Sequence, residues 1–595
     1  MTDSTVATDQ WPSWRYAWRL HRFRPRRQLI NLAGVFVGWS SYVLPGLAAK
    51  IVFDRIEDVG PASALGWLTL PLALVALRAL IWVVVGFTLQ ATNGAFAFAN
   101  ATMLQRNLLR RILELPGGRA LPASPGETIS RFRDDTEAVV WWPIGFNNIL
   151  GSAVAGAVAL VIMARISPMA TLVVFVPLAI VIVIVEAARS RIVAYRDENR
   201  LRTSEMTGFV GDVFTAVHSI QAANAEARIV RHLRELNARR RKAAVRDRLL
   251  EELLRGTFWV VNLGTGVVLV FAGRRLGGRG FSLGDFALFV SYLTIFETFI
   301  RDIGSGLAGY RRLGVSFGRM HVLLAGKPPA TLVADDEIHE RGPLPSPRPP
   351  ALDVQPLREL RVDGLTYHHR GSGGGITDVS LRLPGGSFTV VTGRIGAGKT
   401  TLLQSVLGLV PAEGSIRWND ELVSDPSTFL VPPRTAYTPQ VPHLFSETLE
   451  DNILLGTEGD VEAAVRLAVL DDDLAAMPEG LATVVGSRGI RLSGGQLQRT
   501  AAARMFVRRP ELLVCDDLSS ALDVETEGAL WERVLEDGRR TVLAVSHRRA
   551  ALQRADQVVV LRDGRVEDVG PLPEVLARCD EMRRLWRLEV LAESP

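Results

Sequence analysis

Six long apolar stretches, all in the first half of the chain, are the feature that most limits how this sequence can fold. They cover approximately residues 29–53, 65–92, 141–164, 168–188, 256–274 and 283–306 of 595. A helix needs roughly 20 residues to cross the hydrocarbon of a bilayer. In hydrocarbon a helix satisfies its own backbone hydrogen bonds, whereas an open strand does not. We therefore predict an all-α membrane domain of six transmembrane helices over residues 28–325.

The composition fits a chain that is half membrane-embedded and half water-soluble. Apolar residues make up 48% of the chain and charged residues 22%, so hydrocarbon cannot enclose all of it. The two cysteines, Cys515 and Cys579, both lie in the second half, which excludes a disulfide framework and favours the cytosol. The net charge of +5 is small for this length, so we expect no nucleic-acid partner. Only four of the 68 basic residues are lysines, which is typical of a GC-rich bacterial genome.

The positions of the arginines predict the orientation in the membrane. Residues 1–27 are basic and aromatic, so we expect 11–27 to form an amphipathic elbow helix on the cytosolic membrane surface; a disordered basic tail is the alternative. The long loops 93–140 and 189–255 are rich in arginine and should also be cytosolic. They resemble membrane helices that extend beyond the bilayer, turn and return, with turn helices expected within 126–139 and 208–226. The protein would thus be a multi-pass protein of a bacterial cell membrane.

A change of composition marks the end of the membrane domain. Residues 326–357 are rich in proline, which predicts a stiff linker. Apolar strands and amphipathic helices alternate after it, as in an α/β domain with a parallel sheet. We assign residues 358–595 to a cytosolic domain of the P-loop NTPase fold class.

A glycine-rich segment in this second domain predicts a phosphate-binding loop. Residues 393–400 read GRIGAGKT and follow a predicted buried strand at 387–391, which is the setting that the G-x-x-x-x-G-K-[ST] motif requires. Gly393, Gly396 and Gly398 allow backbone N–H groups to face the loop, and the helix that follows adds positive potential at its N-terminus.

Side chains next to this loop complete the predicted site. Lys399 would contact the β- and γ-phosphates, Thr400 would bind Mg²⁺, and we place Thr401 in the same site. Lysine is so rare in this chain that a chance glycine-rich turn explains Lys399 poorly. The apolar strand predicted at 512–516 ends in Asp516, whose carboxylate can hold Mg²⁺ through water. ATP and Mg²⁺ are thus the expected ligands.

A third motif carries a family resemblance. Residues 492–496 read LSGGQ and open a predicted helix between the phosphate loop and Asp516. This order of motifs resembles the ATP-binding cassette (ABC) family, and six spans followed by one cassette resemble its exporter-type half-transporters. The resemblance covers about residues 11–585. It implies an obligatory dimer, in which each ATP lies between one chain's phosphate loop and the other chain's LSGGQ helix.

The resemblance also implies roles for individual residues. Tyr367 would stack on adenine, Gln440 would contact Mg²⁺, and His547 would contact the γ-phosphate. Asp523 lies in the loop that crosses the dimer interface. The remaining residues implied are those of the signature, which would face the partner's ATP: Ser493, Gly494, Gly495 and Gln496. Packing in the core is the alternative for Tyr367, and an ordinary strand-end histidine is the alternative for His547.

Two positions depart from the family pattern. Asp517 stands where the family carries a glutamate that polarises the attacking water, and Ser487 replaces an acidic residue before the signature. Aspartate is shorter by one methylene, and a displacement of about 1 Å can cost about 10²-fold in rate. We favour a heterodimer with a second half-transporter, in which this chain's own site is weak and its signature completes a strong site. A homodimer that uses Asp517 as a slow catalytic residue is the alternative.

Charged residues within the spans indicate a membrane pathway. Arg78 lies in the second stretch, and Glu297 and Arg301 lie four residues apart in the sixth. Charges at membrane depth are costly and usually face a cavity or pair with one another. They predict a path for a small-molecule, amphipathic or lipid-like cargo, although a buried ion pair that joins helices explains them equally well. An importer or an ATP-gated regulator on the same scaffold remains an alternative to export.

Overall fold

The structure, a computed structural model, describes residues 11–593 except 60–67, 116–124, 277–280, 336–337, 339–341, 344–354, 370–372, 487–491, 537 and 539. It divides into two compact units. The helical unit comprises Met1–Leu109 and Pro122–Arg341, and the α/β unit comprises Arg110–Leu121 and Gly342–Pro595.

The helical unit consists of long helices and short connecting turns. In chain order the helices are α1 (Ser13–Phe23), α2 (Pro25–Ser40), α3 (Val43–Val59), α4 (Thr69–Leu113), α5 (Pro125–Ser130), α6 (Thr136–Ile166), α7 (Pro168–Thr215), α8 (Val217–Ala222), α9 (Glu226–Leu276) and α10 (Leu283–Leu323). A π-helical turn over Arg131–Asp135 joins α5 to α6, and a 3-10 turn over Pro329–Val333 follows α10.

Local chemistry explains where several of these helices begin. Ser167 caps α7 by accepting a hydrogen bond from the Ala170 N–H at 3.2 Å, and Pro168 occupies the first helical position, where its missing N–H costs nothing. Ser282 and Asp285 form a reciprocal capping box at the start of α10.

Four stretches of the described residues are long and apolar enough to cross a membrane. They are Pro25–Ile56, Thr69–Leu113, Gly126–Ile166 and Leu283–Leu323. These contain the first, third and sixth predicted spans, and the second from residue 69 onward. The fourth and fifth, 168–188 and 256–274, lie within α7 and α9, but many of their side chains fall outside the described residues.

The first predicted span, 29–53, is not one continuous helix. It breaks at Ser41–Tyr42 between α2 and α3, and the Ser41 hydroxyl donates to the Gly38 carbonyl at 2.6 Å. Pro45 explains the break, because a proline within a helix clashes with the carbonyl four residues earlier, here that of Ser41.

The helices that extend beyond the apolar stretches differ in how they turn. The turn helix α8 (Val217–Ala222) lies within the predicted range 208–226. By contrast, 126–139 is the start of the returning helix rather than a turn, because α5, the π-helical turn and α6 follow one another without a gap. Residues 116–124, between α4 and α5, lie outside the described residues.

The N-terminal helix α1 is amphipathic, as its sequence predicts. Tyr16 and Leu20 are buried and join a core with residues of α4, α6 and α10, and the Tyr16 ring stacks on Phe317 with 4.2 Å between centroids. Trp14 and Trp18 lie on the exposed face. The apolar face of α1 therefore packs against protein, which leaves the two tryptophans and neighbouring arginines to meet the surroundings.

The first part of the proline-rich segment is ordered against the helical unit. Leu332 and Val333 are buried in the same core as α1. The Asn107 side chain donates to the carbonyls of Leu332 and Ala334 at 3.0 and 3.1 Å. The predicted linker 326–357 thus begins with a packed anchor, and most of the remainder lies outside the described residues.

The α/β unit contains two sheets and short helices. The strands are β1 (Glu359–His368), β2 (Gly375–Pro384), β3 (Phe388–Thr392), β4 (Glu413–Trp418), β5 (Glu421–Leu422), β6 (Thr435–Thr438), β7 (Leu512–Asp516), β8 (Thr541–Val545), β9 (Gln557–Arg562) and β10 (Arg565–Gly570). The helices are α11 (Lys399–Val406), α12 (Pro426–Phe429), α13 (Leu449–Leu454), α14 (Val461–Leu467), α15 (Asp471–Ala476), α16 (Gly494–Phe506), α17 (Val524–Leu535), α18 (Arg549–Arg554), α19 (Leu572–Arg578) and α20 (Asp580–Glu593).

The strands form an antiparallel sheet beside a mostly parallel one. The first has the order β2-β1-β4-β5, and the second has the order β10-β9-β3-β8-β7-β6. In the second sheet β10 is antiparallel and the other neighbouring pairs are parallel. Every residue of β3, β7 and β8 is buried, because helices or the other sheet cover both faces. This arrangement brings the C-terminal ends of β3, β7 and β8 to one edge, where the predicted site lies.

Candidate functional site

The phosphate loop connects β3 to α11, as its motif predicts. Gly393, Gly396 and Gly398 have φ values of +151°, +84° and +96°, which residues with a side chain rarely adopt. A Cβ at Gly393 would overlap the Leu561 carbonyl oxygen, and one at Gly398 would lie 2.7 Å from the Gly375 carbonyl oxygen. Conformation therefore favours glycine at all three positions, and space also requires it at Gly393 and Gly398.

Lys399, the first residue of α11, lies within this loop. Its ammonium donates to the carbonyls of Gly393 and Arg394 at 2.8 and 2.9 Å. Burial lowers the pKa of Lys399 from its usual value, while the neighbouring Asp517 and Asp516 act in the opposite direction. The cation is thus partly desolvated, and a phosphate would supply the counter-charge that it lacks.

Asp516 ends β7 beside Thr400. Its side chain is 2% exposed, and its Oδ2 atom has no hydrogen-bond partner among the described residues. Burial raises the pKa of the Asp516 carboxyl; a hydrogen bond from the Thr400 hydroxyl opposes this effect and the charge of Asp517 adds to it. A buried carboxylate oxygen without a partner next to a threonine hydroxyl fits an oxygen-ligated cation such as Mg²⁺.

Asp517 occupies the turn directly after β7. Its φ is +53°, its N–H donates to the Val545 carbonyl at 3.1 Å, and its side chain is 7% exposed. Oδ2 accepts a hydrogen bond from Gln440 Nε2 at 3.3 Å, whereas Oδ1 has no partner among the described residues. The carboxylate is therefore held toward Gln440 with one oxygen available.

His547 follows β8 and is exposed toward the same edge. The Ser546 N–H just before it donates to the Val391 carbonyl at 3.2 Å, which fixes this turn to β3. The phosphate loop, Thr400, Thr401, Gln440, Asp516, Asp517 and His547 line one cavity of about 520 Å³. The structure thus brings together the predicted nucleotide-site residues of these elements.

An aromatic position beside this cavity differs from the prediction. Tyr367 is half-buried on β1 and packs against the core beneath the sheet, while His369 lines the cavity. His369 Nε2 lies 3.2 Å from the Thr401 hydroxyl oxygen, and its ring meets Tyr367 edge-to-face at 5.1 Å. The sequence predictions did not include His369. Strand alternation gave no signal for it, because residues two apart, such as Tyr367 and His369, share one face of a strand, and β1 ends at His368.

The signature residues lie away from this cavity. Ser493 is the N-cap of α16, and its hydroxyl accepts from the Gln496 N–H at 3.2 Å while Gln496 Oε1 accepts from the Ser493 N–H at 2.9 Å. Ser493 and Gly494 are exposed, and Gly495 is close to the Ala521 carbonyl. They are not part of the cavity lining around Lys399. Ser487 lies outside the described residues.

The loop between Asp517 and α17 is held from both sides. Asp523 caps α17 by accepting from the Thr526 N–H and hydroxyl at 2.9 and 2.7 Å, and these bonds lower the pKa of Asp523. Arg548, directly after His547, donates to the carbonyls of Leu522 and Ser520 at 2.8 and 3.0 Å. The loop that carries Asp523 is therefore linked to the segment that carries His547.

Two of the three charged residues predicted for the membrane pathway line cavities in the helical unit. Arg301 lines a cavity of about 510 Å³ in the helical unit, and Arg78 lines a neighbouring one of about 190 Å³. Both cavities include Trp39, Tyr42 and Asn148. Glu297 belongs to neither lining.

Comparisons with known proteins agree with these two units. The model of the ABC transporter transmembrane region matches residues 29–299, and that of the ABC transporter family matches 376–520. A probable multidrug resistance ABC transporter ATP-binding/permease protein of Bacillus subtilis is 27% identical over 504 residues, covering 81% of this chain and 82% of that one.

Two further matches are informative. A mycobactin import ATP-binding/permease protein of Mycolicibacterium thermoresistibile is 38% identical over 224 residues, which is 36% of this chain and 38% of that one. The structure of a bacterial Atm1-family ABC exporter with ATP bound aligns with a TM-score of 0.74 at 20% identity, covering 96% of this chain and 99% of that one.

The chain belongs to the ABC transporter family. It is an exporter-type half-transporter, in which one transmembrane region is fused to one ATP-binding domain, and it is an ATPase coupled to transport.

Proposed function

We propose that this chain is one half of an ATP-driven exporter and that it pairs with a second, different half-transporter. In this heterodimer the phosphate loop of this chain forms a slow site, and its signature helix completes a fast site on the partner. Asp517, in place of the glutamate that the family resemblance implies, is the observation that carries the proposal.

The environment of Asp517 supports a slow site. Its backbone is tied to Val545 and its carboxylate to Gln440, so the short side chain cannot move outward to recover the lost reach. A carboxylate that is displaced by about 1 Å from the attacking water loses up to about 10²-fold in rate. We therefore assign this site mainly to holding ATP.

The remaining groups of the cavity support ATP binding at this site. Lys399 and the N-terminus of α11 would hold the phosphates, and His547 lies on the same cavity wall. Thr400, Gln440 and Asp516 would hold Mg²⁺, which when bound neutralises charge on the phosphates. His547 also leaves a slow homodimeric enzyme as the alternative, because it retains the group that would contact the γ-phosphate.

The signature helix supports an obligatory dimer. Ser493 and Gly494 are exposed and lie outside the lining of the phosphate-loop cavity, so these residues have no role at this chain's own site. They would act on the ATP that is bound by a partner. We place the N-terminus and the α/β unit in the cytosol and the protein in a bacterial cell membrane, in agreement with the exposed arginines of α1.

Import is a second candidate, because the mycobactin import protein is 38% identical over 224 residues. The cargo for either direction would be a small or amphipathic molecule. Flux measured separately in right-side-out and inside-out vesicles distinguishes the two directions.

Purification from native membranes tests the heterodimer. The tagged chain should be isolated in mild detergent, and the copurifying proteins should be identified and their stoichiometry measured. We expect a second half-transporter at a 1:1 ratio, with glutamate after its Mg²⁺-binding aspartate. Recovery of this chain alone, as a dimer that hydrolyses ATP, would reject the heterodimer and favour the homodimeric exporter.

A further inference from the structure

Two neighbouring cavities of the helical unit share a wall of aromatic residues. The larger, of about 510 Å³, contains Arg301 and Asp302 of α10; the smaller, of about 190 Å³, contains Arg78 and Trp82 of α4. The Trp39 and Tyr42 rings lie between them, stacked with 5.1 Å between centroids. Flat apolar groups therefore line a space that also contains charge.

Arg78 is unusual because its charge has no acidic partner among the described residues. It lies nine residues into α4, about 14 Å from the start of this helix at a rise of 1.5 Å per residue. Its guanidinium lies 4.3 Å above the Tyr42 ring, and this is its one recorded interaction with the described residues. A charge at this depth is costly unless an acceptor satisfies it. Its N–H groups are thus available to a ligand.

The charges of the two linings favour an anion. They contain two arginines, Arg78 and Arg301, and one acid, Asp302, which leaves a net charge of +1 by subtraction. Arg301 donates to the Thr298 hydroxyl at 3.2 Å. The Oδ2 atom of Asp302 is buried and has no partner among the described residues, so it could accept an N–H or O–H group. A ligand with one negative charge and one donor complements this set better than a dianion.

We propose that these cavities bind the cargo and that the cargo is an amphipathic organic monoanion with a flat, apolar body. Arg78 and Arg301 bind its carboxylate, sulfonate or phosphodiester group, and the rings of Trp39 and Tyr42 contact its body. This inference rests on the proposed transport function. The anionic group can belong to a soluble organic acid or to a membrane lipid.

Two probes that differ only in charge test the binding site. Pyrenebutyrate and pyrenebutyl-trimethylammonium should be titrated against the purified complex in zwitterionic nanodiscs without nucleotide. We expect the anion to bind about 10-fold more tightly, Arg78→Gln to weaken it about 10-fold, and Arg78→Lys to weaken it less. Arg165→Gln, at the end of α6 and outside both linings, should leave binding unchanged.

The results distinguish a lipid ligand from a soluble acid, and they test the binding site separately from the proposed transport function. Displacement of pyrenebutyrate by phosphatidylglycerol, but not by soluble benzoate, identifies a lipid, and the reverse identifies a soluble acid. Equal binding of both probes, or no effect of Arg78→Gln, overturns the inference. ATP hydrolysis by the same preparation tests the proposed function separately, because the titration needs no nucleotide.

An independent observation concerns the last helix of the α/β unit. Arg394, the second residue of the phosphate loop, donates through Nη2 to Oε2 of Glu581 on α20 at 2.6 Å, and its Nε also contacts Oε1. The Glu581 side chain is 3% exposed, while that of Arg394 is half-exposed. A buried carboxylate requires its partner, because its charge is otherwise uncompensated. The phosphate loop is therefore tied to α20.

The same helix contacts a second element of the site. The Arg549 guanidinium lies 4.8 Å from the centre of the Trp586 ring on α20, and Arg549 is two residues after His547. Met582, between the two contacts, is fully buried in the core and anchors α20. One helix thus joins the loop that faces the phosphates to the segment that follows His547.

We infer that Glu581 is a positioning residue for the phosphate loop and that α20 sets the position of this loop relative to His547. Because Glu581 acts through Arg394, its loss should alter ATP affinity more than chemistry. We expect Glu581→Gln to raise the Kd for ATP at this chain's own site about 5- to 10-fold and to leave the single-turnover rate at that site within about 2-fold. The exchanged pair Arg394→Glu with Glu581→Arg should restore part of the ATP affinity.

A neighbouring ion pair supplies the control. Asp568 pairs with Arg578 of α19 at 2.8 Å and contacts none of the phosphate-loop residues that line the cavity, so Asp568→Asn should leave the Kd for ATP at this chain's site unchanged. Each variant's melting temperature should be measured without nucleotide. An unchanged Kd in Glu581→Gln, or an equal change in Asp568→Asn, would show that Glu581 acts only on stability.

Discussion

Gln440 donates a hydrogen bond to the carboxylate of Asp517, with 3.3 Å between Nε2 and Oδ2. The bond joins two loops that the sequence separates by 77 residues. It fixes the one carboxylate that departs from the family pattern, and it does so beside the buried Asp516.

Lengthening the Asp517 side chain should speed the slow site. Asp517→Glu restores the methylene that places the carboxylate against the attacking water, so ATP turnover should rise, by up to about 100-fold if the displacement is about 1 Å. The single-turnover rate on this chain's site is the measurement. Asp517→Asn is the control and should lower the same rate. No increase with glutamate would show that geometry at this position is not limiting.

Neutralising Asp516 should stabilise the protein while it prevents Mg²⁺-dependent hydrolysis. Burial raises the pKa of the Asp516 carboxyl, so the ionised group destabilises the fold at neutral pH. Asp516→Asn should raise the Tm by about 2–4 °C, the change that about 1 kcal/mol causes in a domain of this size.

The pH dependence has a definite sign. A carboxyl whose pKa is raised in the folded state costs stability above that pKa, and the cost disappears as the pH falls below the unfolded value of about 3.9. The difference in Tm between Asp516→Asn and the parent protein should therefore be present at pH 7 and shrink toward pH 4. Addition of MgATP should stabilise the parent protein but not the variant. A difference that grows on acidification would contradict the assignment.

The adenine contact should depend on His369 rather than Tyr367. His369→Ala removes a ring from the cavity wall and should raise the Kd for ATP at this chain's site about 10-fold, because stacking on a base is worth about 1–3 kcal/mol. Tyr367→Leu keeps an apolar group in the core and should change this Kd by less than about 2-fold. Equilibrium binding of a fluorescent ATP analogue measures both values. A larger loss of ATP affinity with Tyr367→Leu than with His369→Ala would show that Tyr367 is the stacking residue.

Arg548 should hold the loop that carries Asp523. It pairs with Glu527, which is 2% exposed, at 3.2 Å, so Arg548→Met alone leaves a buried carboxylate and should cost about 3 kcal/mol of folding free energy. Adding Glu527→Leu should restore most of the stability but not ATP hydrolysis, because the carbonyls of Leu522 and Ser520 remain without Arg548. Chemical denaturation and ATPase assays measure the two effects. Recovery of hydrolysis in the double variant would limit Arg548 to a structural role.

The sequence predicted those parts of the site that depend on local patterns. The strand after the signature was expected at 512–516 and is β7 (Leu512–Asp516), because a run of buried apolar residues that ends in aspartate is a local signal. The glycines of the phosphate loop could also be predicted from a local signal, since their conformation follows from residue type and spacing.

Contacts between distant segments could not be predicted in this way. Arg394 and Glu581 are 187 residues apart, and their pairing requires the order of the strands to be known. The choice between Tyr367 and His369 could not be made from the sequence, because the pairing of β1 with β2 is irregular between Val362 and Leu365 and again between Leu365 and Tyr367, and His369 lies just beyond β1. The break in the first predicted span at Ser41 could have been predicted from Pro45. Averaging hydropathy over the stretch does not detect it, because the apolar character continues through the break.

Two variants of this chain that should lower ATP hydrolysis to very different extents test the unequal-site heterodimer most directly. Asp517→Asn changes this chain's own site, whereas Ser493→Asp keeps a residue that can cap α16 and places a negative charge where the partner's ATP would lie. The ATPase rate of the complex purified from native membranes should be measured for each. Asp517→Asn should retain more than about half of the parent rate and Ser493→Asp less than about 5%. This ratio of at least about 10-fold lies within the estimated difference of about 10²-fold between the two sites. Near-complete loss with both variants would contradict this account and show that Asp517 is a working catalytic residue.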